Sequence, residues 1–310
     1  MTAVEIDGAR VNYEHTGGQP VSGQSPIIFL HGLGHSTYSW RHVVGPLSEY
    51  APVYALDLPG HGQSAPIPGS YHPRALAGHV YRWWQSLALP PAIWVGSSLG
   101  TDITLWMAID HPDAVDRLVL MNGGGYPEKK KLSERLIRWP IVCEILFGSR
   151  FGPGMWRNII RSRFKTEGMP EDEELDEMVR RISAPGVLSS FRRALRAIDR
   201  TELGPRLREI KAPTYLIWGD SDVEFPMTLA DRLRRDISGA RLTAIKGCGQ
   251  YPQQERPNET VAALVRVVRS TPTGRVESVN KNPSPPVKSP GHSPRRDLPH
   301  FRRKQRRNQQ

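Results

Sequence analysis

The chain has 310 residues, of which 38% are hydrophobic, so it contains enough apolar material for a sizeable core. Its 28 glycines and 28 prolines show no collagen-like period. No apolar run approaches the roughly 18 residues that a membrane span requires, and the N-terminus lacks the pattern of a signal peptide. We therefore expect a soluble, cytoplasmic protein without a membrane span. Two cysteines, Cys143 and Cys248, are too few for a disulfide framework or a structural zinc site.

The net charge of +11 lies mainly at the C-terminus. Residues 271–310 hold ten Lys or Arg against two acidic residues, which leaves +3 for the first 270 residues. The same segment has seven prolines and few large apolar residues. Such a composition predicts a disordered, basic, Pro-rich tail. Because aromatic stacking residues are almost absent from it, we expect no specific nucleic-acid partner.

Short apolar runs alternate with helix-length segments through the first 125 residues. Asp7-Gly8 separates two short strands, which predicts a hairpin. Strands are then expected at Ile27–Leu30, Val53–Leu56, Ile93–Val95 and Val115–Met121, with helices around Trp40–Leu47, Leu76–Leu87 and Leu99–Ala108. This succession favours a mostly parallel sheet with helices on both faces, whose functional groups gather at the carboxyl ends of the strands.

A second set of elements completes the predicted sheet. It consists of strands Tyr215–Trp218 and Leu242–Ile245 and helices Leu229–Ile237 and Thr260–Val268. Between the two sets, residues 126–205 have a helical composition without strand alternation. We therefore predict a core domain of residues 1–125 and 206–270, a helical lid of residues 126–205 and a disordered tail of residues 271–310.

The most informative motif is Gly96-Ser97-Ser98-Leu99-Gly100, in which an apolar strand leads through Gly-x-Ser-x-Gly into a helix. A nucleophilic serine on such a turn adopts strained dihedral angles, and glycines two residues away on either side remove colliding side chains. The pattern predicts that Ser98 protrudes at the top of the sheet. The amide of Leu99, at the positive end of the following helix, would then face an oxyanion formed there.

A second donor is predicted upstream, in the segment His31-Gly32-Leu33-Gly34 that follows a strand. This Gly-flanked loop can present the amide of Leu33 to the same point as the amide of Leu99. His31 is expected to brace the loop. His31 and His35 lack the spacing and the glutamate of a His-Glu-x-x-His zinc site, so no metal is predicted.

Four segments in this order resemble the α/β-hydrolase fold family: residues 31–34, 57–64, 96–100 and 216–222. The resemblance spans about residues 4 to 270 and implies a mostly parallel sheet with an inserted helical lid. It also implies that Ser98 is the nucleophile and that Asp222 is the catalytic acid, with Asp220 as the nearest competitor. Aspartate-dependent relatives are disfavoured because the elbow residue is serine, and Asp102 lies one helical turn away from it.

The family's histidine would lie in a stretch resembling Gly-x-Gly-His-x-Pro-x-x-Glu-x-Pro, but here Gln250 occupies its place. A carboxamide cannot accept and return a proton near pH 7, whereas imidazole can, because its ordinary pKa is about 6.5. Only His292 and His300, both in the predicted tail, follow Asp222. The sequence therefore predicts an atypical or impaired base for ester hydrolysis.

Three interpretations of Gln250 stay open. It could inactivate an ordinary hydrolase of small, largely apolar esters, thioesters or related carbonyl compounds. It could mark a cyclase or lyase in which Ser98 and Gln250 act as hydrogen-bonding groups. It could also mark an inactive, ligand-binding protein. A serine, its glycines, an oxyanion loop and Asp222 together favour an enzyme over a scaffold.

Several further residues are candidates for substrate binding: His35, Trp139, Phe147 and Tyr251. His35 is also the histidine best placed to act as a displaced base. The aromatic and aliphatic residues of the predicted lid could line an apolar cavity or simply pack against the sheet domain. A small-molecule substrate is expected. No cofactor is predicted, because the sequence lacks a P-loop, a dinucleotide fingerprint and a metal cluster, and the oligomeric state stays open.

Overall fold

The computed structural model describes residues 2–127, 139–148 and 152–270. Eight strands of these residues form one sheet: β1 Thr2–Ile6, β2 Ala9–Thr16, β3 Ile27–Leu30, β4 Val53–Leu56, β5 Ala92–Ser98, β6 Val115–Gly123, β7 Thr214–Gly219 and β8 Arg241–Ile245. Their order across the sheet is β1-β2-β4-β3-β5-β6-β7-β8. Strand β2 is antiparallel to both of its neighbours, β1 and β4, and all other neighbouring strands are parallel. The predicted α/β class and all eight strands are confirmed.

The helices of the described residues are α1 Val44–Leu47, α2 Pro73–Ser86, α3 Leu99–Asp110, α4 Pro140–Cys143, α5 Gly152–Arg161, α6 Asp172–Ile182, α7 Val187–Ala197, α8 Leu203–Arg206, α9 Met227–Asp236, α10 Pro252–Glu255 and α11 Pro257–Arg269. The helix predicted around Trp40–Leu47 is instead a 3₁₀ turn, Thr37–Trp40, followed by the short α1. Pro46 accounts for the difference, since it has no N–H to donate and is accommodated only in the first turn of a helix.

Two apolar clusters cover the two faces of the sheet. Alternate residues of β3 belong to different clusters, with Ile28 and Leu30 in one and Ile27 and Phe29 in the other. Helices α2 and α3 contribute to the first cluster and α1 and α11 to the second. A sheet buried on both faces explains why its strands read as continuous apolar runs rather than as alternating ones.

The described part of the segment between β6 and β7 consists of helices and turns. It has a third apolar cluster, which includes Trp156, Phe164, Leu175 and Ile182 and also Tyr251 from the loop after β8. The boundaries of the predicted lid stay a prediction, and the predicted tail, residues 271–310, lies outside the described residues. Among the described helices, none combines the length and apolarity that a membrane crossing needs.

Candidate active site

Ser98 is the last residue of β5 and lies at a sharp turn into α3, which begins at Leu99. Its backbone has φ 54° and ψ −112°, a conformation that is costly for a residue with a side chain. The flanking glycines permit the turn, since a Cβ atom on Gly96 would lie 2.3 Å from the carbonyl oxygen of Gly100. A Cβ on Gly100 would lie 2.1 Å from the carbonyl oxygen of Leu30. The turn therefore has the geometry of a nucleophile elbow.

The loop after β3 lies directly against this elbow. A Cβ on Gly32 would be 3.0 Å from the Cβ of Ser98. His31 holds the loop, because its Nε2 accepts a hydrogen bond of 3.0 Å from the amide of Leu58 and its Nδ1 lies 2.7 Å from the carbonyl oxygen of Gly32. Burial lowers the pKa of His31 well below its ordinary value, so the ring stays neutral. The predicted bracing contact is thus present.

A cavity of about 800 Å³ opens at the carboxyl end of the sheet, in contact with Ser98. Most of its lining residues are apolar or aromatic, and more than half of them belong to the segment between β6 and β7, including Phe147, Trp156, Ile160 and Phe191. The cavity is large enough for a drug-sized molecule. A molecule bound in it would contact Ser98.

The structure brings most of the predicted site residues to this cavity. Its lining includes Ser98, Leu33, Leu99, His35, Phe147, Gln250 and Tyr251. Trp139 is not among the lining residues, and 67% of its surface is exposed. It directly precedes Pro140, the first residue of the four-residue helix α4.

Asp222 lies in the loop after β7 and is buried just behind the cavity, which its neighbours Val223 to Pro226 line. Its Oδ1 accepts hydrogen bonds from the amides of Glu224, at 2.7 Å, and Phe225, at 3.1 Å. Burial raises the pKa of the Asp222 carboxyl, and hydrogen bonds from the Asn122 side chain and the Phe225 amide oppose the shift. The competitor Asp220 is exposed and caps the β8 turn by accepting from the amide of Gly247.

Asn122, which the sequence analysis missed, links three parts of the site. Its Nδ2 donates to Asp222 Oδ2 at 2.7 Å and to the carbonyl oxygen of Gly249 at 3.3 Å. Its Oδ1 accepts from the amide of Gly219 at 3.0 Å. The residue is fully buried with φ 36° at the end of β6. A polar residue that ends a buried apolar strand was the available signal.

The loop that carries Gln250 is held by its backbone. Glu255, itself buried, accepts hydrogen bonds from the amides of Gly249 at 2.8 Å, Tyr251 at 3.0 Å and Lys165 at 3.0 Å. The amide of Gln250 donates to the carbonyl oxygen of Arg163 at 3.2 Å. None of these contacts uses the side chain of residue 250. The position of the loop is therefore independent of whether a glutamine or a histidine stands there.

The Gln250 side chain lies at the cavity and is 5% exposed. Its Oε1, as the carboxamide is oriented here, has no hydrogen-bond partner within the described residues. A buried acceptor without a partner costs about 1 to 3 kcal/mol. This cost indicates that Gln250 is not there to hold the fold together.

His35 and Tyr251 both line the cavity and contact each other. The His35 Nε2 lies 3.0 Å from the Tyr251 hydroxyl, and its Nδ1 lies 3.2 Å from the hydroxyl of Ser39. Burial, together with nearby positive charges, lowers the pKa of His35 to about 4, so the ring is neutral near pH 7. Both ring nitrogens are thus engaged within the protein. This engagement argues against His35 as a displaced base for Ser98.

Asp102 is excluded as a nucleophile by its contacts. The side chain is completely buried and forms an ion pair with Arg200, whose Nε lies 2.9 Å from both carboxylate oxygens. It also accepts from the amide of Gly125 at 3.0 Å. Within the described residues, no three His, Cys, Asp or Glu side chains are grouped as a metal site.

Comparison with known proteins agrees with this architecture. Residues 27–264 match the model of the alpha/beta hydrolase family. The chain belongs to the alpha/beta hydrolase family.

Two similar curated proteins are named hydrolases. A 2-hydroxy-6-oxononadienedioate/2-hydroxy-6-oxononatrienedioate hydrolase of Burkholderia vietnamiensis is 29% identical over 280 residues, covering 83% of this chain and 91% of that protein. The uncharacterized hydrolase YugF of Bacillus subtilis is 26% identical over 267 residues, covering 84% and 96%. The crystal structure of the enol-lactonase from Burkholderia xenovorans LB400 superposes with a TM-score of 0.75 at 21% identity, covering 87% of this chain and 100% of that one. This structural likeness shows the alpha/beta hydrolase fold.

Proposed function

We propose that this alpha/beta hydrolase binds a small, largely apolar ester, thioester or related carbonyl compound in the cavity above Ser98. The observation that carries the proposal is that a serine in a strained elbow conformation and Gln250 line one apolar cavity. The amides of Leu33 and Leu99, whose residues line the same cavity, would form the oxyanion hole. Asp222 would be the catalytic acid, as the resemblance to the family implies. The named hydrolase relatives support a hydrolytic substrate class.

The chemistry of this site is limited by proton transfer. When the Ser98 hydroxyl attacks a carbonyl carbon, a C–O bond forms, the carbonyl electrons move to the oxygen, and the hydroxyl proton must leave. The Gln250 carboxamide cannot take that proton near pH 7. Loss of one member of such a catalytic unit typically reduces turnover by roughly 10⁴ to 10⁶. We therefore propose that the site binds and polarises carbonyl compounds and hydrolyses ordinary esters only slowly.

A second candidate function is non-hydrolytic conversion of a carbonyl compound, by elimination or cyclisation. Gln250 favours it, because a neutral carboxamide beside an oxyanion hole can orient a substrate without taking part in proton transfer. In that case the site would work by holding its substrate in a reactive conformation. Reinstating a histidine would then bring no ester hydrolysis.

The test is to restore the base in the Gln250→His variant. The backbone contacts of Glu255 and Arg163 keep the loop in place, so the imidazole would occupy the position of the carboxamide. With p-nitrophenyl butyrate as the probe, we expect hydrolysis to rise by roughly 10²-fold or more, since a general base contributes about 10² to 10⁴. Gln250→Asn, which keeps a carboxamide, should stay at the starting rate.

A second control separates Ser98 from background reaction. The double variant Ser98→Ala with Gln250→His should lose the gained activity, because the new base would have no hydroxyl to activate. If Gln250→His shows no gain with a panel of acetyl to octanoyl esters, the acyl-transfer proposal is contradicted and the non-hydrolytic candidate is favoured.

A further inference from the structure

The most informative group outside the Ser98 and Gln250 positions is the chain of contacts that joins Ser39, His35 and Tyr251. It runs from the Ser39 hydroxyl to His35 Nδ1 at 3.2 Å and from His35 Nε2 to the Tyr251 hydroxyl at 3.0 Å. A neutral imidazole has one N–H and one bare nitrogen. One of the two hydroxyls must therefore donate to the ring, and the other must accept from it.

The two possible tautomers differ in which hydroxyl proton they leave without a partner. If His35 carries its proton on Nδ1, Ser39 accepts from the ring and Tyr251 donates to it, so the Ser39 proton is left over. If the proton is on Nε2, Ser39 donates and Tyr251 accepts, so the Tyr251 proton is left over. Among the described residues, neither hydroxyl has another hydrogen-bond partner. The favoured tautomer is therefore the one whose remaining hydroxyl proton can find a hydrogen-bond acceptor.

The surroundings of the two hydroxyls decide between the tautomers. Ser39 is 4% exposed and lies in the 3₁₀ turn beneath the loop. Tyr251 lines the 800 Å³ cavity, where a bound molecule can supply an acceptor. Leaving a donor buried without a partner costs about 1 to 3 kcal/mol, so the arrangement that places the spare proton at the cavity is favoured.

We propose that Ser39 and His35 orient the Tyr251 hydroxyl so that it donates a hydrogen bond to an oxygen of the substrate in the cavity. Tyr251 is thereby a substrate-binding donor, and Ser39 and His35 are positioning residues that act through it. The ligand class is a molecule with an apolar body and a carbonyl or ester oxygen at this end. The inference rests on the proposed function, since that function places a carbonyl compound in the cavity.

Two observations agree with this role. Burial raises the pKa of the Tyr251 hydroxyl, so the side chain stays protonated and acts as a donor rather than as a base. The ring itself is fixed by contacts with Phe164, at 5.0 Å between ring centroids, and with His35, at 4.9 Å. A donor held in this way loses little freedom when a ligand arrives.

The first test reads the tautomer directly from the ¹⁵N NMR shifts of His35 at pH 7. We expect a bare Nδ1 and a protonated Nε2 in the wild-type chain. Ser39→Ala removes the hydroxyl that donates to Nδ1, and we expect the His35 shifts to move toward a mixture of tautomers. A wild-type ring protonated on Nδ1, with Ser39 donating to a water in the adjoining cavity of about 20 Å³, would overturn the proposal.

The second test measures binding in the Ser98→Ala background, where no acyl transfer can occur. The probes are methyl 3-phenylpropanoate, which carries ester oxygens, and butylbenzene, which carries none. Tyr251→Phe should reduce the preference for the ester by roughly three- to tenfold, the effect of one neutral hydrogen bond. Tyr126→Phe is the matched control, because it removes a buried hydroxyl that donates to Asp236 instead.

The outcomes separate this inference from the proposed function. An ester preference that is the same in Tyr251→Phe and in its parent overturns the role of Tyr251 while leaving the carbonyl-binding cavity intact. If neither probe binds, the proposed substrate class fails, and the tautomer of His35 still decides whether the Tyr251 proton faces the cavity.

Discussion

The Ser98 elbow and the loop that carries Gln250 differ in what their residues can do. At the elbow, Gly96 and Gly100 leave no room for a side chain, and Ser98 accepts a strained backbone. In the loop, Glu255 and Arg163 hold the backbone by hydrogen bonds, but the side chain at position 250 has no proton to exchange near pH 7, and its Oε1 has no partner among the described residues. The comparison teaches that the serine turn and the loop of residue 250 keep their backbone geometry although the side chain at position 250 cannot transfer a proton near pH 7.

The largest effect that we expect is a loss of stability on substitution of Gly100 in the elbow. Gly100→Ala places a methyl group 2.1 Å from the Leu30 carbonyl oxygen, so β3 or α3 must move. We expect a loss of about 3 to 5 kcal/mol in the free energy of unfolding, measured by urea denaturation. Gly154→Ala is the control, because a methyl group there meets nothing within 4 Å, and its effect should be a slight stabilisation. Equal stability of both variants would contradict the packing argument.

The second prediction concerns the loop, and asks whether the contribution of Asp222 to ester hydrolysis depends on the residue at position 250. In the chain as it stands, Asp222→Asn should change probe-ester hydrolysis less than about threefold, because there is no imidazole for the carboxylate to orient. In the Gln250→His background, the same substitution should lower the gained rate by roughly 10²-fold or more. Initial rates for the four proteins of this cycle provide the measurement. A large loss in the native background would mean that Asp222 acts without residue 250.

The smallest expected effect concerns the pH dependence of stability. The pKa of His35 is lowered from about 6.5 to about 4 in the folded chain, so the unfolded chain binds more protons between these values. Stability should therefore fall as the pH falls from about 6.5 to about 4, with His35 contributing at most about 3 kcal/mol. Burial also lowers the pKa of His31, His61 and His79, which act in the same direction.

The contribution of His35 is isolated by comparing the pH dependence of stability in the His35→Gln variant and in the parent chain. Thermal unfolding of His35→Gln should lose less stability over this pH range than unfolding of the parent chain. Identical pH profiles for the two proteins would show that His35 is not held neutral in the fold.

The strands and the elbow could be predicted because their signals are local. Apolar runs such as Ile27–Leu30 mark buried parallel strands, and the Gly-x-Ser-x-Gly spacing specifies one backbone geometry. The position of Gln250 at the cavity was predicted through the family resemblance. A local signal was also misread, since Pro46 shortens the helix expected around Trp40–Leu47.

What could not be predicted depends on contacts between distant segments. Asn122 reaches Asp222 and Gly249 across about 100 residues or more of sequence, and His35 meets Tyr251 across 216. No periodicity or spacing records such pairings. The exposure of Trp139 was missed for the same reason, because aromatic composition alone does not say which side chains of a helical segment face a cavity.

The most direct measurement of the central claim is covalent labelling of Ser98 by a fluorophosphonate probe, followed by intact mass spectrometry. The account predicts slow labelling of the native chain, labelling faster by roughly 10²-fold in Gln250→His, and no labelling of Ser98→Ala. Rapid labelling of the native chain, at a rate that Gln250→His does not raise, would contradict it, because Ser98 would then have a proton acceptor other than the group at position 250.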